Sequence, residues 1–283
     1  MNRLAGKVAI VTGAGRIGNI GVAVCDAFLR EGARGVVGTD LRSEDAGAIR
    51  ARMESSHGTG RFLLLEHDVT DEAAWQGVLA QTLAAFGALD VLVNNAGLSI
   101  HGGIETTSLA DLRTVMAVNH DALFLGIKTC VGALAGAHTR HAGGGAIVNN
   151  LSMASYMSNA NNIGYHVSKA AGRMLTLCAA NELGPRRIRV NSIHPGVTMT
   201  PLIREGLRDY VQGGLWPSEE AAEEALAAMS WLKTTSQPED TAHAFVYLAS
   251  EEARFVTGAS IQRHDPSAWR ARPLWLAARA GIA

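Results

Sequence analysis

A tyrosine and a lysine one helical turn apart are the residues of this sequence best spaced to do chemistry together. Tyr165 and Lys169 lie in the string YHVSK. On a helix, positions i and i+4 share a face, so both side chains can enter one crevice. A free phenol ionises near about pH 10, too high for a base at neutrality. A neighbouring ammonium favours the phenolate by charge, and bringing the phenol to about 7 takes roughly 4 kcal/mol of differential interaction. Such a tyrosine can take the proton from an alcohol as hydride leaves, or return it to a carbonyl. Ser152 stands 13 residues upstream at the end of an apolar run, where it can hydrogen-bond the substrate oxygen and orient it. Alone, Y-x-x-x-K is also a common surface pair of a helix. Tyr156 has Ala160 at the fourth place and forms no such pair.

These residues need a scaffold, and the hydropathy pattern describes one. KVAIV (7–11), GVVGTD (35–40), RFLLLEHDV (61–69), LDVLVNNAG (89–97), GAIVNNLS (145–152) and IRVNSIHPG (188–196) are short, rich in Val, Ile and Leu, and end in Gly, Asp, Asn or Ser. They read as buried strands. Between them the spacing predicts helices near 20–32, 43–56, 71–86, 108–136 and 163–183, with a further helix at 238–249 and a last strand at 258–263. Such alternation predicts an α/β fold: one doubly wound domain over 1–283, with about seven parallel strands and helices on both faces. Two regions break the rhythm. Residues 198–234 form a long excursion of the kind that serves as a lid over a substrate. The tail 264–283 carries two Trp and three Arg beyond the last strand and is atypical.

The stretch TGAGRIGNIG (12–21) joins the first strand to the first helix, and four of its ten residues are glycine. Helix N-termini carry unpaired N–H groups and partial positive charge, so phosphates bind there, and glycine lets a pyrophosphate reach the backbone. Gly13, Gly15, Arg16, Gly18, Ile20 and Gly21 are therefore candidate contacts of a dinucleotide. Asp40 ends the second strand, 19 residues after Gly21. A carboxylate there can accept from both ribose hydroxyls of NAD and repel a 2′-phosphate, or it can cap a helix. Arg16 and Arg42 could instead hold that phosphate; the balance favours NAD over NADP. Leu41 follows Asp40 on the same edge. Asp68 and Val69 end the third strand, where Asp68 either meets the adenine amine or caps the next helix. Asn95, Ala96 and Gly97 end the fourth.

The order of a TG loop, D-V, N-N-A-G, a helical Asn, a Ser, Y-x-x-x-K and P-G resembles the short-chain dehydrogenase/reductase family over about residues 5–263. The resemblance implies a doubly wound sheet, a nicotinamide cofactor and a catalytic set of Ser152, Tyr165, Lys169 and Asn119. Asn119 would hold a water that links the lysine to solvent. It also implies that Lys169 bonds the nicotinamide ribose, and that Pro195, Gly196, Val197, Thr198 and Thr200 form the segment beside the carboxamide. A homotetramer or homodimer built on helices 108–136 and 163–183 follows from the same resemblance. Two departures stand out. The family's loop reads TGxxxGxG, which wants glycine at 17 and 19, where this chain has Ile17 and Asn19. Two extra residues before a final glycine at Gly21 reconcile the spacing and leave open whether Gly15 or Gly18 faces the phosphates. The last strand runs into Arg263-His264-Asp265-Pro266 rather than D-G-G.

Met153, Met157, Val197, Met199, Leu202 and Trp216, with His101, are the candidate substrate contacts. They are mostly apolar, so a neutral, bulky secondary alcohol or ketone is expected, cyclic or steroid-like. Composition narrows the remaining classes. The net charge of -1 offers no basic field for nucleic acid. The three cysteines, Cys25, Cys130 and Cys178, show no paired spacing and read as core residues in a reducing compartment. No cluster has metal-ligand spacing, so no metal is expected. The N-terminus enters a strand at once and no run reads as a membrane span, so a soluble cytoplasmic protein is the expectation.

Overall fold

Seven short apolar runs pair side by side in the computed structural model, which describes residues 2–262 apart from Ser43, Leu215, Met229 and the side chains of Asp209 and Tyr210. Arg263 and the tail 264–283 lie outside the described residues. The strands are β1 (Val8–Thr12), β2 (Gly35–Asp40), β3 (Phe62–Glu66), β4 (Val91–Asn94), β5 (Gly145–Asn150), β6 (Ile188–His194) and β7 (Ser260–Gln262). The helices are α1 (Ile20–Arg30), α2 (Ala46–His57), α3 (Glu72–Phe86), α4 (Leu109–Met116), α5 (Ala122–Ala135), α6 (Ile163–Leu183), α7 (Pro201–Gln212), α8 (Glu219–Ala228) and α9 (Pro238–Ala249). All strand pairs are parallel, in the order β3-β2-β1-β4-β5-β6-β7. The chain winds outward from β1 to β3, crosses back to β4 beside β1, and winds out again. The reversal opens a crevice between the carboxyl ends of β1 and β4, where ligands of such sheets bind.

Neither sheet face meets water, which is why the strands read as unbroken apolar runs. Ala9, Val11, Val91, Val93, Ala146 and Val148 point to the layer formed by α1, α2 and α9. Their neighbours Ile10, Leu92 and Ile147 point to the layer of α3, α5 and α6. Strands stop where that pattern meets Asp40, Glu66 and Asn94, a few residues short of the sequence boundaries at the third and fourth strands.

The helix predicted over 108–136 carries a π-helical turn, Ala117–Asp121, between α4 and α5. Over Leu109–Thr139 it is long and apolar enough to cross a membrane by length and composition, which the sequence reading missed. Here its apolar side chains cover the sheet: Leu123, Ile127, Cys130 and Leu134 are buried.

The excursion after β6 is closed at its base by a bridge between Thr198 and Ser236. Met199 N donates to Ser236 O at 2.8 Å and Ser236 N to Val197 O at 3.0 Å. Within it, α7 and α8 share a small apolar core of Val197, Met199, Leu207 and Ala222, with Ile203, Trp216 and Leu226 packed against it.

Phe245 of α9 is fully buried against the α1 layer. Phe245→Ala removes most of that side chain without relief from solvent, and is expected to cost about 3–5 kcal/mol of stability. Urea unfolding of the two proteins, compared at equal m-value, measures it.

Candidate active site and cofactor crevice

The turn after β1 is held shut by its neighbours. Thr12 Oγ1 accepts from the main-chain N–H groups of Asn95 at 2.9 Å and Ala96 at 3.0 Å. Asn95 Nδ2 donates to Thr12 O at 2.9 Å and to Gly13 O at 3.1 Å. Gly13 has φ +69, and a Cβ there would stand 2.8 Å from Asn95 Nδ2. A Cβ on Gly21 would collide with the Gly13 carbonyl. The loop therefore closes on β4 with no space for side chains at either end.

Asn19 carries the enlarged part of the loop. As N-cap of α1 it accepts from Val22 N at 2.9 Å and donates from Nδ2 to Gly13 O at 2.8 Å. An extended φ of -91 needs no glycine, so asparagine serves where the family pattern has one. Gly15 is turned onto Asp40: its N–H donates to Asp40 Oδ2 at 2.7 Å, and a Cβ would collide with Asp40 and the Arg42 carbonyl. A Cβ on Gly18 would only touch Pro201 at the start of α7, at 3.8 Å, but its φ of +81 favours glycine.

A crevice of about 400 Å3 runs along this edge. At one end it is bounded by Arg16, Asp40, Leu41, Arg42, His67, Asp68 and Val69, and at the other by Ser152, Tyr165 and Lys169. Between lie Gly13, Asn19, Ile20, Asn95, Ala96, Gly97, Pro195, Gly196, Thr198 and Thr200. An elongated group with a central anion fits this surface, because α1 opens onto it with a capped N-terminus. Asp40 is no helix cap: the N-cap of α2 is Asp45, and the second Asp40 oxygen accepts from Arg42 N at 3.1 Å. Asp68 Oδ1 accepts from Thr70 N at 2.9 Å and Thr70 Oγ1 at 2.7 Å, while Asp71 caps α3.

At the far end, Ser152 and Tyr165 line the crevice together, the serine near enough to act on the ionisation of the phenol. Lys169 Nζ sits 5.5 Å from the Tyr165 ring centroid and donates to Asn150 O at 3.1 Å. Burial pushes the Tyr165 phenol up from its ordinary value, with Ser152 acting against that rise. Burial pushes the Lys169 amine down to about 8. Asn119 lies at the centre of the π-helical turn and clamps the segment after Gly97: Oδ1 accepts from Leu98 N at 2.9 Å, and Nδ2 donates to Leu98 O at 2.9 Å. A Cβ on Gly97 would come within 3.2 Å of Asn119 Oδ1 and 3.4 Å of Lys169 Nζ, so Gly97, Asn119 and Lys169 crowd one spot.

Ser152 is seated by residues that periodicity alone does not flag. His194, fully buried, meets Ser152 O through Nδ1 at 3.0 Å and Ser192 Oγ through Nε2 at 2.9 Å. A carbonyl only accepts, and burial holds the imidazole near 4, so the neutral ring donates from Nδ1 and accepts at Nε2. Tyr156 stacks on it at 4.8 Å, and the Arg173 guanidinium lies 4.6 Å from the Tyr156 ring.

The substrate candidates divide. Leu202 lines the crevice, together with Leu98, Val118, Leu151 and Ile203. Val197, Met199 and Trp216 pack in the α7–α8 core, and Met153 is buried. Met157 is half-buried with its carbonyl on His166, and His101 is exposed. Among the described residues no group of His, Cys, Asp and Glu could hold a metal ion.

A family model described as Enoyl-(Acyl carrier protein) reductase matches residues 13–263. The chain belongs to the short-chain dehydrogenase/reductase family. It is 35% identical over 260 residues to the 2,5-dichloro-2,5-cyclohexadiene-1,4-diol dehydrogenase LinX of Sphingobium indicum, covering 92% of this chain and 95% of that one. It is 34% identical to the NADP-dependent (R)-specific alcohol dehydrogenase of Lentilactobacillus kefiri, covering 91% and 95%. A crystal structure from Burkholderia xenovorans assigned to the same family superposes with TM-score 0.84 at 33% identity, covering 96% of this chain and 99% of that one. The short-chain dehydrogenase/reductase is thus an oxidoreductase that works with a nicotinamide cofactor.

The lowered amine has a consequence for stability. With a folded-state value of about 8 against an ordinary 10.5, Lys169 loses its proton in the folded protein before it does in the unfolded chain. Between those values the unfolded state binds more protons, so stability rises with pH across that window. Lys169→Met removes the effect. Between about pH 7.5 and about pH 10 the wild type is expected to gain roughly 2–3 kcal/mol relative to the variant in urea unfolding.

Proposed function

We propose that this enzyme transfers hydride between NAD(H) and a neutral, bulky secondary alcohol or its ketone, with Tyr165 as general acid and base. The observation that carries the reading is the meeting of Ser152, Tyr165 and the buried Lys169, whose Nζ lies 5.5 Å from the Tyr165 ring centroid, at one end of a crevice whose other end is Asp40 and the glycine loop. When bound, the nicotinamide accepts or returns the hydride.

Gly13, Asn19, Ile20 and Asn95–Gly97 would hold the dinucleotide's middle, Asp40, Leu41, Asp68 and Val69 its adenosine end, and Lys169 with Pro195, Gly196, Thr198 and Thr200 its nicotinamide end. The Asp40 carboxylate supports NAD: it can accept from ribose hydroxyls and opposes a second phosphate by charge. The Lentilactobacillus relative, named as NADP-dependent, and the nearby Arg16 and Arg42 define the competing reading.

In the cofactor-free crevice the phenol is protonated at neutrality, because burial raises it. Tyr165 can then donate to a carbonyl oxygen that Ser152 also bonds. Alcohol oxidation needs the phenolate, which a charged Lys169 on the same helix face favours. Asn119 keeps Leu98 and Gly97 in place around that lysine. The apolar lining of Leu98, Leu151, Leu202 and Ile203 supplies no cation for a carboxylate or phosphate on the substrate. A neutral cyclic alcohol suits it, the class named for the Sphingobium relative.

Tyr165→Phe keeps the ring and removes the proton carrier. It is expected to bind NADH as the wild type does, by fluorescence titration, and to lose about 10²–10⁴ in kcat/KM against a panel of neutral cyclic alcohols. Turnover that survives the substitution would remove Tyr165 as the base.

A further inference from the structure

We infer that Glu205, on α7, is a second determinant of cofactor choice, acting through Arg16. This rests on the NAD reading above and deepens it. Arg16 lies in the enlarged part of the glycine loop and lines the same end of the crevice as Asp40, Leu41, Arg42 and Glu205. Its guanidinium meets the Glu205 carboxylate fork to fork, Nη2 to Oε1 at 2.5 Å and Nη1 to Oε2 at 3.4 Å.

The pair belongs to a wider arrangement. Gly15 N donates to Asp40 Oδ2 at 2.7 Å and Ile17 N to Asp45 Oδ2 at 2.9 Å. Three successive loop residues are therefore held by carboxylates from three places: the end of β2, the start of α2, and α7. Arg42 and Arg208 also lower the Glu205 carboxyl by their charge, after the larger effect of Arg16. Glu205 has the largest effect on Arg16, with smaller contributions from Asp45 and Glu44.

A guanidinium fork serves a carboxylate or a phosphate equally well. Arg16 committed to Glu205 cannot also take a 2′-phosphate. An entering phosphate, with about two negative charges at neutrality, must displace Glu205 while facing Asp40. NAD brings no such group: its ribose hydroxyls need only an acceptor. The pair is partly exposed, at 29% for Arg16 and 45% for Glu205, so it adds little to stability. Its discrimination between cofactors is the consequence that its location does explain.

The test is the ratio of kcat/KM with NADP to that with NAD, for the wild type, Glu205→Gln, Arg16→Ala and the double variant. Glu205→Gln is expected to raise the ratio about tenfold or more by freeing Arg16. The double variant is expected to lose that gain. Equal changes with both cofactors in Glu205→Gln would mean that the pair only fastens α7 to the loop, and would overturn the inference; so would a gain that persists in the double variant. Wild-type protein that prefers NADP would overturn the NAD reading and this inference together. A wild-type preference for NAD with an unshifted ratio in Glu205→Gln overturns the inference alone.

Discussion

Tyr165 and Lys169, the two groups that would carry charge in the proposed reaction, are buried where water cannot support charge. That conflict shapes the site. Burial raises the Tyr165 phenol and lowers the Lys169 amine, so the cofactor-free protein disfavours both ions. Neither residue is poised by its own surroundings. Each depends on a partner: the phenol on Ser152 and a cation nearby, the amine on the Asn150 carbonyl. A crevice built in this way is quiet when empty, and its electrostatics respond strongly to whatever charge enters it.

The rest of the fold holds this end of the crevice in register with the other. Reversal of strand order beside β1 opens the cleft, and the contacts of Thr12 with Asn95 and Ala96 tie its two walls. Asn94 Nδ2 donates to Asn149 Oδ1 at 2.9 Å, and Asn149 Nδ2 to Thr176 Oγ1 at 2.9 Å. This ladder links β4 and β5 to α6, the helix that carries Tyr165 and Lys169. Buried amides of this kind stay only when paired, so they set the relative positions of the elements they join.

What could be read from the sequence follows from what periodicity encodes. Strands were legible as apolar runs, although the fourth and fifth stop at Asn94 and Asn150, short of the runs' ends at 97 and 152, and the shared face of Tyr165 and Lys169 was legible because helical spacing is a local property. The π-helical turn at Asn119 was not, since nothing in VMAVNHDALFLG departs from an ordinary helix pattern. Met199 and Trp216 were apolar in the right region, but apolar side chains carry no sign of direction, and theirs is into the α7–α8 core. His194 and Arg173 come from separate elements and meet around Tyr156 only in three dimensions. Arg16 and Glu205, 189 positions apart, pair for the same reason. Asn19 reads in the sequence only as a missing glycine; its N-cap role on α1 is seen in the structure, although an asparagine just before a helix is an N-cap signal.

The account is tested most directly by titrating Tyr165 itself, from the tyrosinate absorbance of the wild type minus that of Tyr165→Phe, without and with saturating NAD. Free protein is predicted to ionise Tyr165 above the ordinary phenol value of about 10, and the cofactor-loaded protein well below the free one. A free protein whose Tyr165 already ionises below that value, or a titration that does not move when cofactor binds, would contradict it.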